Sequence, residues 1–134
     1  MGAWGAGIFE NDGAGDYVWK VEAAPSIATL LRPIETVLEA IKDGDYLEMG
    51  FCEEANAAAE MLGALHSGDK SALSPSALEV LPTIQGKPTN EDMNRVRAVV
   101  ERITKDSEMA EAFVESDSAE IWLAVMQGLR ERLG

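Results

Sequence analysis

The chain has 134 residues, of which 46% are hydrophobic, and this is enough to fill the core of one folded domain. It carries 24 acidic against 11 basic side chains, a net charge of −13. Phosphate backbones and anionic lipid surfaces repel a polyanion of this density, so composition and charge argue against binding to nucleic acid or to membranes.

The first sixteen residues, MGAWGAGIFENDGAGD, form an unusual glycine-rich segment. Its glycines separate three large apolar side chains, Trp4, Ile8 and Phe9. Glycine permits positive φ angles and close backbone approach, whereas the large apolar side chains need burial. We predict an irregular segment that packs on a helical body, with Trp4 as its main anchor.

Two helices are predicted next. Asn11 or Asp12 caps the first, which runs to about Glu22. The second covers residues 26–42, and Pro33 lies inside it. Because proline lacks an N–H, we expect a break or kink at that position. The helical spacing is carried by seven apolar residues: Ile27, Leu30, Leu31, Ile34, Val37, Leu38 and Ile41.

A third helix is predicted over residues 48–66 and is rich in alanine. Its polar residues Glu53, Asn56 and Glu60 are assigned to the face away from the core. The alanines on the buried side would let a neighbouring helix pack closely. The predicted buried stripe consists of Phe51, Ala55, Ala58, Ala59, Leu62 and Leu65.

The C-terminal half contains a proline-rich stretch and three further predicted helices. The stretch holds a short helix around residues 76–81. Thr89 and Asp92 have the spacing of a capping box, and Ser107 is expected to cap a short helix. Asp117 is expected to cap the last helix.

These elements predict an all-α fold: a single compact domain over residues 1–134, built from about six helices in a bundle-like array. No segment alternates apolar and polar residues for long enough to indicate a strand. The longest uncharged runs are far shorter than the roughly twenty residues that a membrane-spanning helix requires. We expect a cytoplasmic protein.

Residues that carry common chemistry are scarce. The chain has one histidine, His66, and one cysteine, Cys52, which together are too few for a zinc site. Glu53 and Glu54 follow Cys52 and would raise the pKa of its thiol, the reverse of what a nucleophile needs. His66 is expected at the surface, near a helix C-terminus. We predict no catalytic residue, no metal site and no cofactor.

The N-terminal string resembles the signature of a mainly bacterial family, domain of unknown function 4259. The resemblance extends over nearly the whole chain and has no activity, catalytic residue or cofactor attached to it, so it supports the fold and the cytoplasmic location alone. It rests on the opening MGAWGxGxFENDxAxD, on Asp45-Tyr46-Leu47-Glu48, on Ala57-Ala58-Ala59-Glu60 and on Trp122.

Two hypotheses for the function remain open. The favoured one is a non-enzymatic domain that binds another protein, in particular a basic one, because the chain lacks catalytic residues and is strongly anionic. The alternative is an enzyme or small-molecule binder whose site lies at the N-terminal segment. That site would be built from Trp4, Asn11, Asp12 and Asp16, with Glu48 nearby.

The structural roles that compete with this site are a core plug for Trp4, a helix cap for Asp12 and a first-turn acid for Asp16. A concave pocket that contains one of the polar residues, together with a carboxylate of shifted pKa, would favour the small-molecule hypothesis. A flat acidic face would favour a protein partner. The sequence indicates no oligomeric state.

Overall fold

The computed structural model describes residues 5–134, and its fold is all-α with 73% of the residues helical. Trp4, the predicted anchor, lies outside the described residues. Within that range no strand forms, and no helix is long and apolar enough to cross a membrane. The helices are α1 (Asp12–Ala23), α2 (Ile27–Asp43), α3 (Met49–Ser67), α4 (Pro75–Val80), α5 (Asn90–Lys105), α6 (Glu108–Val114) and α7 (Ala119–Leu133), with a 3-10 turn at Leu81–Thr83.

Helix α3 is the centre of the molecule, since α1, α2, α5, α6 and α7 all pack against it. Every residue from 55 to 64 is buried. The prediction of one buried stripe is therefore wrong: Asn56 and Glu60 are interior, whereas Phe51 is 42% exposed. Alanine side chains are short on every face of this helix, so neighbouring helices approach it from all sides. Apolar periodicity separates a buried face from an exposed face only in a helix that packs against one neighbour.

The buried Glu60 carboxylate is neutralised by Arg132 of α7. Arg132 Nε and one terminal nitrogen each donate to a different Glu60 oxygen at 2.8 Å. A paired, bidentate arrangement is what allows a charge to lie in the interior. The pair fixes the C-terminal helix to the middle of α3.

Helix α2 runs through Pro33 without the predicted break. Proline has no N–H to give to the carbonyl of Thr29, four residues earlier. The hydroxyl of Tyr17 on α1 donates to that carbonyl at 3.0 Å instead. A hydrogen bond from the neighbouring helix thus replaces the missing backbone bond, and α2 continues to Asp43.

Most helices begin with a side-chain cap. Asn11 rather than Asp12 caps α1, because its Oδ1 accepts the N–H of Ala14 at 2.7 Å. The predicted capping box of Thr89 and Asp92 is confirmed, as is the Ser107 cap of α6. Each cap satisfies one of the N–H groups that lack a partner within the first turn.

The predicted cap of the last helix is wrong, because Asp117 is exposed and α7 begins after Ser118 without a side-chain cap. The hydroxyl of Ser116 accepts the N–H of Ser118 at 3.1 Å and also donates to the Phe113 carbonyl at 2.8 Å. These short-range bonds hold the chain in a tight turn, with Asp117 at its tip.

Candidate functional site

The glycine-rich segment before α1 folds around the side chain of Glu10. Glu10 Oε1 accepts the N–H of Gly7 at 2.9 Å, and the backbone turns back at this point, since the N–H of Glu10 donates to the Gly7 carbonyl at 3.1 Å. A Cβ atom at Gly5 would lie 2.6 Å from Glu10 Oε2, and one at Gly7 would also collide with the carboxylate. A side chain at either glycine would therefore require the exposed Glu10 carboxylate to move away.

The segment is attached to the body of the protein through Ile8 and Asn11. Ile8 is buried, and Phe9 packs against the core while partly exposed. The amide nitrogen of Asn11 donates to the Ile8 carbonyl at 3.3 Å, while its oxygen caps α1. The order of the segment thus depends on Asn11, which is itself buried.

A cleft of about 500 Å³ lies where this segment meets α3, α6 and the start of α7. This volume is within the range of about 300–1,000 Å³ that is typical of small-molecule sites. The walls are mainly apolar, with a few polar groups. The cleft is lined by Gly5, Ala6, Gly7, Ile8, Asn11, Met49, Gly50, Glu53, Asn56, Met109, Ala112, Phe113, Ser116, Ser118 and Trp122.

Asn56 is a second buried polar side chain of this cleft, beside Asn11, and has 2% of its surface exposed. Its amide nitrogen lies 3.4 Å from the sulfur of Met109 and 3.7 Å from that of Met126. A thioether only accepts, so the nitrogen of the carboxamide faces the two sulfurs. Asn56 Oδ1 has no hydrogen-bond partner within residues 5–134. A buried acceptor without a donor is costly, and a ligand in the cleft that Asn56 lines could supply the missing hydrogen bond.

Glu53, one turn before Asn56, lies at the edge of the cleft and is half-buried. Its side chain lies against Gly13 of α1, where a Cβ atom would be 2.9 Å from the Cβ of Glu53 and would collide with the carboxylate. Burial, followed by the charges of Asp12 and Glu54, raises the pKa of Glu53. The cleft therefore contains a carboxylate whose charged form is disfavoured by its surroundings.

Helix α6 forms the opposite wall and is joined to the start of α3. Glu108 Oε1 accepts the N–H of Met49 at 2.6 Å, and the N–H of Glu108 donates to the Leu47 carbonyl at 2.9 Å. Behind this connection, the ring of Phe113 stacks on Trp122 of α7 with centroids 5.5 Å apart. Helix α6, which carries Phe113, is therefore fixed to α3 at its start and to α7 at its end.

The structure brings only part of the predicted site together. Asn11 lines the cleft. Asp12 is exposed on the first turn of α1 and does not line the cleft, but its negative charge contributes to the raised pKa of Glu53. Asp16 is exposed on α1 and Glu48 is exposed before α3, and neither lines the cleft. Trp4 lies outside the described residues.

Sequence reasoning missed Glu53 and Asn56, since it assigned both to a solvent-facing side of α3. An asparagine inside the run EANAAAE was the available signal. Asparagine is a poor helix former, so its presence among alanines at the centre of a helix calls for a specific contact.

Cys52 and His66 stand apart from the cleft. Cys52 is fully buried, and burial raises the pKa of its thiol to about 11, with smaller contributions from Glu108 and Glu53. His66 is exposed in the last turn of α3, as predicted. Within residues 5–134 no three His, Cys, Asp or Glu side chains form a group that could hold a metal ion.

A family model described as "Domain of unknown function (DUF4259)" matches residues 2–125, nearly the whole chain. No curated protein and no solved structure matches the chain.

Proposed function

Since the chain belongs to the DUF4259 family, whose description names no activity, we propose from the geometry of the cleft that the protein binds a small molecule there. One observation carries the proposal. The cleft is of ligand size and apolar, and Asn56 on its wall has a buried acceptor without a partner in the described residues.

Binding, rather than catalysis, is what the lining residues support. Glu53 is the one acidic side chain among them, and the lining contains no histidine, cysteine, lysine or arginine of the described residues. General acid–base catalysis in its usual form needs two titratable groups, or one such group beside a nucleophile. The hydroxyl of Ser116 is engaged in a turn, and no hydrogen bond joins Ser116 or Ser118 to Glu53, so within the described residues neither serine is paired with a base.

A screen of neutral aromatic fragments, indole among them, tests this proposal by thermal shift and by ¹H–¹⁵N NMR. We expect hits that raise the melting temperature and shift the side-chain amide signal of Asn56. Ala112→Phe, on the exposed rim of the cleft, should block them. Ala23→Phe, at the exposed end of α1, is the matched control and should leave binding unchanged. If no fragment binds, or if both variants bind alike, the cleft is not a ligand site.

Binding of a basic protein is a second candidate, and a second groove favours it. This acidic groove, of about 430 Å³, lies along α2 and the start of α3. Its two aromatic side chains are well exposed, Tyr46 at 55% and Phe51 at 42%. Carboxylates beside exposed rings attract lysine and arginine side chains through charge and cation–π contacts. The groove is lined by Arg32, Glu35, Thr36, Glu39, Ala40, Asp43, Asp45, Tyr46 and Phe51.

A lysine-rich peptide with a fluorescent label tests the second candidate by anisotropy at low salt. We expect the double change Glu35→Gln, Glu39→Gln to weaken binding. The double change Glu22→Gln, Glu79→Gln removes the same net charge outside the groove and should leave binding nearly unchanged. Equal weakening by both pairs would mean that the peptide responds to the overall charge of the protein and to no particular surface.

A further inference from the structure

The edge of the cleft near α1 is crowded with negative charge. Burial first, and then the charges of Asp12 and Glu54, raise the pKa of Glu53. Lys20 pairs with Glu54 at 3.2 Å. The ion pairs within residues 5–134 leave Glu53 out, so its carboxylate has no cationic partner in the part of the chain that the structure describes.

Two acceptors of the cleft come from one face of α3. Glu53 and Asn56 are three residues apart, a spacing that places side chains on the same side of a helix. The carboxylate accepts only, and Asn56 Oδ1 accepts and has no donor within residues 5–134. A ligand that fits both must present donors. A protonated amine offers three donors and a positive charge, whereas an anion would be repelled.

The other walls of the cleft are apolar. Ile8, Met109, Phe113 and Trp122 line it. Trp122 is 1% exposed, so the aromatic surface is mainly the half-buried ring of Phe113, which stacks on Trp122. Such a surface suits a planar apolar group and would leave a charged group without hydration. The position of an ammonium is therefore set by Glu53 and Asn56, and that of an apolar group by the opposite wall.

We infer that the ligand of the cleft is an organic cation: an apolar, preferably aromatic body that carries a protonated amine, with the ammonium between Glu53 and Asn56. This inference rests on the proposed small-molecule function and names the class of ligand. A bound ammonium would offset the repulsion that Asp12 and Glu54 exert on the Glu53 carboxylate.

Tryptamine and tryptophol form a matched pair of probes for the full chain. Both have an indole ring on a two-carbon arm, and both can donate a hydrogen bond to Asn56. Only tryptamine carries a positive charge. By titration calorimetry, we expect tryptamine to bind about fivefold or more tightly than tryptophol, the ratio expected for one charge-assisted hydrogen bond at a partly screened site. Glu53→Gln keeps the shape of the side chain and should abolish this preference.

Glu79→Gln is the control, because it removes one exposed carboxylate of α4 that does not line the cleft. The preference for tryptamine should survive in it. Equal affinities of the two probes for the wild type would overturn the inference and leave the small-molecule function standing. An equal loss of preference in Glu53→Gln and Glu79→Gln would also overturn it, since the selectivity would then come from overall charge. If neither probe nor any neutral fragment binds, the proposed function itself fails.

Discussion

The hydroxyl of Tyr17 donates to the Thr29 carbonyl that Pro33 leaves without its helical partner, over 3.0 Å. Tyr17 is 3% exposed and Pro33 is buried, so water is not a ready substitute for this donor. Burial, with a smaller effect from Glu54, raises the pKa of the Tyr17 hydroxyl. The phenol therefore remains a donor throughout the neutral pH range.

Tyr17→Phe should destabilise the protein by about 1–2 kcal/mol, because it leaves a buried carbonyl without a donor. In a Pro33→Ala background the backbone N–H of residue 33 can donate to the same carbonyl. The cost of Tyr17→Phe should then fall by about 1 kcal/mol, a coupling that urea melts of the double-mutant cycle would measure. An identical cost in the two backgrounds would show that the hydroxyl does not compensate for the proline.

Removing either partner of the Glu60–Arg132 pair should have unequal effects. Arg132→Met leaves a carboxylate that is 1% exposed and should cost about 3–5 kcal/mol. Glu60→Met should cost less, because the Arg132 side chain is 21% exposed and can turn towards water. Urea denaturation of the two variants measures the difference. Arg130→Met, an exposed arginine of the same helix, is the control. A larger loss in Glu60→Met would contradict the assignment.

Glu53→Gln should make the protein more stable at neutral pH. The folded-state pKa of Glu53 is raised above its ordinary value of 4.5. Its contribution to stability is therefore complete below about pH 4.5 and is lost as the pH rises through the folded-state pKa. The glutamine variant does not lose stability in this way. Its melting temperature should therefore exceed that of the wild type increasingly as the pH rises above about 4.5. Glu79→Gln, which removes an exposed carboxylate of α4, is the control. A stabilised variant that loses amine binding would show that the charge is kept for function.

Asn11→Ala should destabilise the protein by about 1–2 kcal/mol, because it removes both the cap of α1 and the bond that holds the Ile8 carbonyl. Asp12→Ala should change stability by less than about 0.5 kcal/mol. The attraction of Asp12 to the helix N-terminus is offset by its repulsion of Glu53. Thermal melts of the two variants show which of the two residues caps α1. A larger destabilisation by Asp12→Ala would mean that Asp12 is the cap.

Local signals in the sequence predicted the helices well. The cap of α6 and the capping box of α5 depend on side chains within one turn of the helix start, and both were found. Predictions that depend on another helix failed. The continuity of α2 at Pro33 requires Tyr17, which is sixteen residues away in the chain, and no pattern within α2 could reveal it.

The cleft was only partly predictable for the same reason. Asn11 was identified because it lies in the unusual N-terminal string, whereas Glu53 and Asn56 occupy ordinary positions on a helix. Their inward position follows from five helices surrounding α3, and helical periodicity alone assigns polar residues to solvent. The small side chains at residues 55, 57, 58, 59 and 64 were the clue to a helix with neighbours on all sides.

Helix α3 has no solvent-exposed face between residues 55 and 64, and this limits which substitutions the stretch can accept during evolution. On a surface helix, half of the positions can change without altering any partner. Here each added methyl group would press on one of five neighbours, and Gly63 already lies where a Cβ would be 3.0 Å from Leu133. Substitutions in this stretch should therefore arise only together with changes in the helix they face, so covariation between α3 and its neighbours would be the evolutionary trace of this packing.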